Sequence, residues 1–139
     1  MKKLLFSIAA MTAITTASAQ RMLVLYYSET GTTKTVAQEL QKQTGADIES
    51  IEAVEPYTGN FQETIQRGQR EMQSGKMPAL KPLTKKVQDY DIIFLGYPIW
   101  FGTYANPIAT LIQEQDFAGK SITRPSLSFW AKTRNVKVC

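Results

Sequence analysis

An apolar run, Met22-Leu23-Val24-Leu25-Tyr26, passes through Tyr27-Ser28-Glu29-Thr30-Gly31-Thr32-Thr33 into a segment where Val36, Ala37 and Leu40 recur at helical spacing. No other stretch of the chain restricts the fold as strongly. A short unbroken apolar run suits a strand buried on both faces of a parallel sheet. The turn that follows is rich in hydroxyls and contains a glycine, as an anion cradle at a helix start does. Backbone N–H groups point outward there, hydroxyls add donors, and glycine lets the chain approach closely. Taken alone, the turn reads first as a capped strand-to-helix connection, and the rest of the chain decides whether it does more.

The next stretches extend this unit. Thr44-Gly45 closes the helix, with glycine at the left-handed position that ends helices. Ala46-Asp47-Ile48-Glu49-Ser50-Ile51 alternates apolar and polar residues, the pattern of a half-buried or edge strand. Strand, helix and strand in this order favour a right-handed parallel crossover. From Pro56 to Pro82 runs a longer connection with its own helix. Asn60 and Glu63 have the spacing of a capping box, Phe61, Ile65, Gly68 and Met72 share a face, and Gly75 and Pro78 end it. Arg67, Arg70 and Lys76 read as a solvated face, with contact to a substrate or partner as the alternative.

Tyr90-Asp91-Ile92-Ile93-Phe94-Leu95-Gly96 is the strongest strand candidate, and its apolar stretch implies a place at the centre of a parallel sheet. It leads into Tyr97-Pro98-Ile99-Trp100-Phe101-Gly102-Thr103-Tyr104, then Asn106-Pro107. Asn at N-cap with Pro at N1 predicts a helix start, and Ile108, Leu111 and Ile112 form its apolar stripe. Open α/β sheets bind ligands at the C-terminal ends of their strands. An aromatic loop in that place roofs a core or holds a flat ring. A hydroxyl turn for phosphate beside an aromatic loop for a ring points to a nucleotide-like cofactor.

Composition narrows the chemistry. There is no histidine, and the one cysteine is Cys139. Histidine-based triads, the common zinc sites and an internal disulfide are thereby excluded, so a cofactor is expected to supply the chemistry. Residues 1–19 have the three parts of a secretory signal: basic Lys2-Lys3, an apolar stretch from Leu4 to Ile14, and Ala17-Ser18-Ala19 before Gln20. Cleavage there implies export, to a periplasm, with no stable membrane insertion afterwards. The net charge of +4 belongs to the two ends: two basic residues lie in the leader, and the last nineteen residues carry four and no acid. The body is close to −2. That is not a nucleic-acid-binding profile.

These residues resemble the flavodoxin family, in particular its exported bacterial members. The resemblance covers roughly residues 22–120 and implies an α/β flavodoxin-like fold, a doubly wound parallel sheet with strand order 2-1-3-4-5. It implies FMN as cofactor, with Ser28, Glu29, Thr30, Gly31, Thr32 and Thr33 around the phosphate and Pro98, Ile99, Trp100, Phe101 and Gly102 at the isoalloxazine ring. Trp100 is the preferred ring neighbour, with Phe101 and Tyr104 as the other aromatics available. The G-K-[ST] ending of a P-loop and the G-x-G-x-x-G fingerprint are both absent.

The resemblance fades after Lys120. A fourth strand is expected near Ser121–Thr123, but residues 124–139 form a basic tail with Pro125 where a central strand needs its amide. The expectation is a flavodoxin-like domain over 20–123 that lacks the last strand and helices, truncated or altered at its end. The function expected is electron transfer through bound FMN, to a redox partner protein or a small acceptor. The alternatives are an FMN-dependent NAD(P)H:quinone-type reductase, or a truncated chain without a redox role and with weak or no flavin binding.

Overall fold

The computed structural model describes residues 18–123. The expected signal segment 1–19, except for its last two residues, and the basic tail 124–139 lie outside the described residues. In chain order the elements are β1 (Met22–Tyr26), α1 (Thr32–Thr44), β2 (Asp47–Ser50), α2 (Phe61–Ser74), β3 (Ile92–Gly96), β4 (Ile99–Trp100), β5 (Thr103–Tyr104), α3 (Asn106–Glu114) and β6 (Ser121–Thr123). The main sheet has the order β2-β1-β3-β6 with all pairs parallel. This is the first part of the expected 2-1-3-4-5 arrangement, with β6 in the fourth place. No helix among the described residues is long and apolar enough to cross a membrane.

Alternation along β1 divides the core in two. Leu23 and Leu25 point to one face, into a cluster with Ile93, Leu95, Val87, Ile108 and Leu111. Val24 and Tyr26 point to the other, against Ala37 and Leu40 of α1 and Ala46. Each such fully buried aliphatic side chain contributes ~1.5–3 kcal/mol relative to exposure. β1 is covered on both faces because strands flank it and helices lie above and below. β2, paired only with β1, is half exposed, as its alternating sequence implies.

Two of the helices end as their sequences indicate. Gly45 stops α1 and Gly75 stops α2, both in the left-handed conformation. Asn60 and Glu63 form a complete capping box. The long connection between β2 and β3 is pinned at its ends, where Val54 N–H donates to Ala79 O at 2.8 Å and Lys81 N–H to Glu52 O at 2.8 Å.

Three expectations are corrected here. Asn106 does not cap α3: Ala105 does, Asn106 is already helical, and its side chain reaches across to α2 instead. Ile112 is exposed, and Thr110 takes its buried place by donating to Pro78 O at 2.7 Å. On α2, Phe61 and Met72 face solvent, while Gly68 is buried and Ile65, Arg67 and Glu71 are half-buried. The solvated-face reading holds for Arg70 and Lys76 but not for Arg67.

Candidate functional site

The first loop leaves the end of β1 and is organised by one hydroxyl. Ser28 Oγ accepts from the N–H of Gly31 and of Lys34, each at 3.1 Å, so it ties the turn to the first turn of α1. Gly31 sits at φ 92, a left-handed conformation that costs an L side chain about 1–2 kcal/mol. The backbone and hydroxyls of Thr30, Thr32 and Thr33 have no side-chain partner and donate to no acceptor among the described residues. Free N–H groups at the positive end of a thirteen-residue helix, ringed by hydroxyls, suit a phosphate monoester. Glu29 places its carboxylate elsewhere, where it accepts a hydrogen bond from the Tyr27 hydroxyl.

The second loop leaves the end of β3, the neighbouring strand. Tyr26 and Gly96 are register partners, and Tyr27 N–H donates to Gly96 O at 2.9 Å, so the loops start side by side. Gly96 permits the approach: a Cβ there would lie 3.3 Å from both Thr33 Cγ2 and Tyr26 Cβ. The aromatic loop is built as a hairpin, β4 against β5, turned by Phe101 at φ 51 and Gly102 at φ 79. Positive φ at both central residues defines the turn that matches the twist of a two-residue hairpin. For a bulky residue such as Phe101 it is a strained conformation.

The aromatic side chains of this hairpin divide. Trp100 is half-buried, edge-on to Tyr27 with ring centroids 5.9 Å apart and to Tyr57 at 5.0 Å. Phe101 is 44% exposed and its ring lies over Gly68 of α2. Tyr97 and Tyr104 pair edge to face at 6.2 Å, and Tyr104 is exposed. Ile99 is exposed, whereas Pro98 is half-buried and its carbonyl accepts from Ala105 N–H at 3.2 Å, closing the base of the hairpin. Trp100 therefore forms part of a fixed wall and is not a free-standing ring.

Tyr57 belongs to this wall and carries no local sequence signal that would have singled it out. It comes from the connection after β2, so three neighbouring strand ends supply the aromatic cluster. Its hydroxyl donates to Glu71 Oε2 at 2.6 Å, and the Arg67 guanidinium lies 4.0 Å from its ring centroid. Glu71 also accepts from Arg67 Nε at 2.8 Å and from Asn106 Nδ2 at 2.8 Å. Burial, reinforced by a neighbouring carboxylate, pushes both the Tyr27 and the Tyr57 hydroxyl well above the ordinary tyrosine range. They remain neutral donors at any physiological pH.

A helix start with free N–H groups and an aromatic wall, side by side at the C-terminal ends of a parallel sheet, is the arrangement typical of the nucleotide-binding class of open α/β proteins. Within that class the chain belongs to the flavodoxin family, whose model matches residues 21–134. Three solved structures are similar. A candidate flavoprotein from Bacteroides eggerthii is 33% identical, with 74% of this chain and 67% of that one covered and a TM-score of 0.67. A flavoprotein from Lactobacillus acidophilus, solved in complex with FMN, is 26% identical over 69% of this chain and 66% of that one, TM-score 0.64. A candidate flavoprotein from Bacteroides uniformis is 28% identical over 84% and 83% of the two chains, TM-score 0.67. The chain thus spans about two thirds of the length of the first two. The curated proteins contain no match to the sequence.

Proposed function

We propose that this protein binds FMN and transfers electrons through it. The observation that carries this reading is the junction of the Ser28-ordered turn with the Tyr27–Tyr57–Trp100 wall, and the FMN complex of the Lactobacillus acidophilus relative supports it. Bound FMN would supply the one- or two-electron chemistry. The chain supplies binding and orientation. Thr30, Thr32 and Thr33 donate to the phosphate from backbone and hydroxyl groups, Ser28 holds the turn, and Gly31 gives it its shape. Pro98 to Gly102 carry the ring wall, with Trp100 fixed by its two tyrosine neighbours. Glu29 is kept from opposing the phosphate by its bond to Tyr27.

Among the described residues no three or more Cys, Asp or Glu side chains gather into a group that could hold a metal ion. The acceptor is a redox partner protein or a small molecule, and the leader at 1–19 directs the protein out of the cytoplasm. Purified protein should be yellow or become so on titration with FMN, with a phosphate-dependent gain over riboflavin. A protein that takes up neither flavin in a calorimetric titration would overturn the reading. For export, N-terminal sequencing of the secreted protein should start at or near Gln20, and an intact Met1 would oppose it.

A further inference from the structure

We propose that Glu71 is a positioning residue for the ring wall, acting on the flavin site from α2 through Tyr57 and Trp100; this rests on the flavin reading above. Its carboxylate, side chain 12% exposed, sits where three elements meet. It accepts from the Tyr57 hydroxyl at 2.6 Å, from Asn106 Nδ2 at 2.8 Å and from Arg67 Nε at 2.8 Å. The donors come from the connection after β2, from the first turn of α3 and from α2 itself.

The arrangement leaves Tyr57 little freedom. Its hydroxyl end is fixed by Glu71, and the Arg67 guanidinium lies over its ring. Arg67 is in turn held by Glu71 and by Pro56 O, to which it donates at 3.1 Å. The Tyr57 ring meets Trp100 nearly perpendicularly, at 81° and 5.0 Å. Tyr27 packs against Trp100 as well, at 88°. One carboxylate therefore sets the position of the tyrosine that buttresses the hairpin tryptophan. Asn106, whose amide also donates to Gly68 O at 3.0 Å, extends the same hold to the helix that begins directly after the hairpin.

A charged acceptor with three donors resists substitution by an amide. Glutamine at 71 places an NH2 group against at least one of those donors and removes the charge that strengthens the bonds. The Tyr57 ring then gains freedom, and Trp100 with it. The phosphate turn shares no hydrogen bond with Glu71, so its contribution should be unchanged.

The test measures FMN and riboflavin binding to the wild type, Glu71→Gln and Tyr57→Phe, with the fluorescence of the bound flavin as a second readout. Glu71→Gln should weaken FMN and riboflavin by the same factor, up to about tenfold, the ceiling set by one hydrogen bond to a charged group whose loss reaches the ligand only through the loosened wall. Bound flavin should also become more fluorescent, because a loosened wall quenches it less. Tyr57→Phe keeps the ring and removes only the hydroxyl, and should shift both readouts in the same direction by a smaller factor. Ser28→Ala, in contrast, should weaken FMN alone and leave the fluorescence of bound flavin unchanged. If wild type binds FMN while Glu71→Gln and Tyr57→Phe retain its affinity and quenching, the positioning role is refuted and the flavin reading stands. The role is also refuted if Glu71→Gln weakens FMN more than riboflavin, since that traces the loss to the phosphate turn. Wild type binding neither flavin defeats the flavin reading itself.

Discussion

Gly68 lies in the middle of α2 beneath the hairpin tip, and replacing it with alanine sets two effects against each other. A Cβ there would sit 3.1 Å from Phe101 Cε2 and 3.3 Å from Cζ, with Asn106 Nδ2 next at 3.7 Å. Alanine favours a helix interior over glycine by ~1 kcal/mol. The ring must withdraw by a few tenths of an ångström, which forfeits part of several contacts worth ~0.1–0.2 kcal/mol each. Phe101 can yield, because it is 44% exposed and its hairpin pairs with no strand of the main sheet. Asn106 need not move, since 3.7 Å is an ordinary contact. Gly68→Ala should therefore stabilise the fold by about 0.5 kcal/mol, a rise in Tm of ~2–4 °C for a domain of this size. Thermal unfolding followed by circular dichroism measures it. Gly68→Val, whose γ carbons reach further toward the ring and Asn106, should melt below wild type. If Gly68→Ala also melts lower, Phe101 is held rigidly and the argument that the loop tip gives way is refuted.

Gly31→Ala should destabilise the protein by ~1–2 kcal/mol through backbone strain alone, because the space around that position is open. Urea unfolding would show this, and FMN affinity should fall with it; an unchanged midpoint would mean that the turn tolerates a right-handed residue. Tyr90 and Asp47 give the fold a pH dependence with a defined sign. Burial and then the Asp47 carboxylate push the Tyr90 hydroxyl up to about 12, so its contribution is whole below pH ~10 and lost as pH rises toward that value. The same hydroxyl holds the Asp47 carboxyl below its ordinary value, and that contribution is present above pH ~4 and lost on acidification. Tyr90→Phe should flatten both limbs of the stability–pH curve without abolishing the alkaline one, since Tyr27 and Tyr57 are raised too. Superimposable curves for variant and wild type would remove Tyr90 as the source.

What was legible in the sequence was local. Met22–Tyr26 is a strand from its first residue to its last because an unbroken apolar run has one cheap place in a parallel sheet. Gly45, the Asn60–Glu63 box and Gly75 mark helix ends because the chemistry that marks them lies within a few residues. The misreadings share one cause. Asn106 has the local form of an N-cap, but Gly68 O and Glu71 offer its amide buried partners more than thirty residues away. Of the α2 face that spacing predicts, Ile65 and Gly68 turn inward but Phe61 and Met72 do not, and Arg67 and Glu71 share the inner side by bonding to Tyr57, Pro56 and Asn106. Tyr57 itself sits among proline, threonine and glutamate in a connection with no periodicity, and only the fold brings it to Trp100.

The pairing of β1 bears on the order in which the site assembles. Leu23 meets Asp47 of β2 after a separation of 24 residues, but meets Ile93 of β3 only after 70. Closing the longer loop costs more chain entropy before any contact offsets it. The Ser28 turn lies wholly within the shorter unit, whereas Trp100 reaches Tyr27 only once β3 has docked. Loop-closure entropy alone therefore favours forming the Ser28 turn before the aromatic wall. A chain emerging from synthesis would then hold a shaped Ser28 turn before Trp100 has a wall to join.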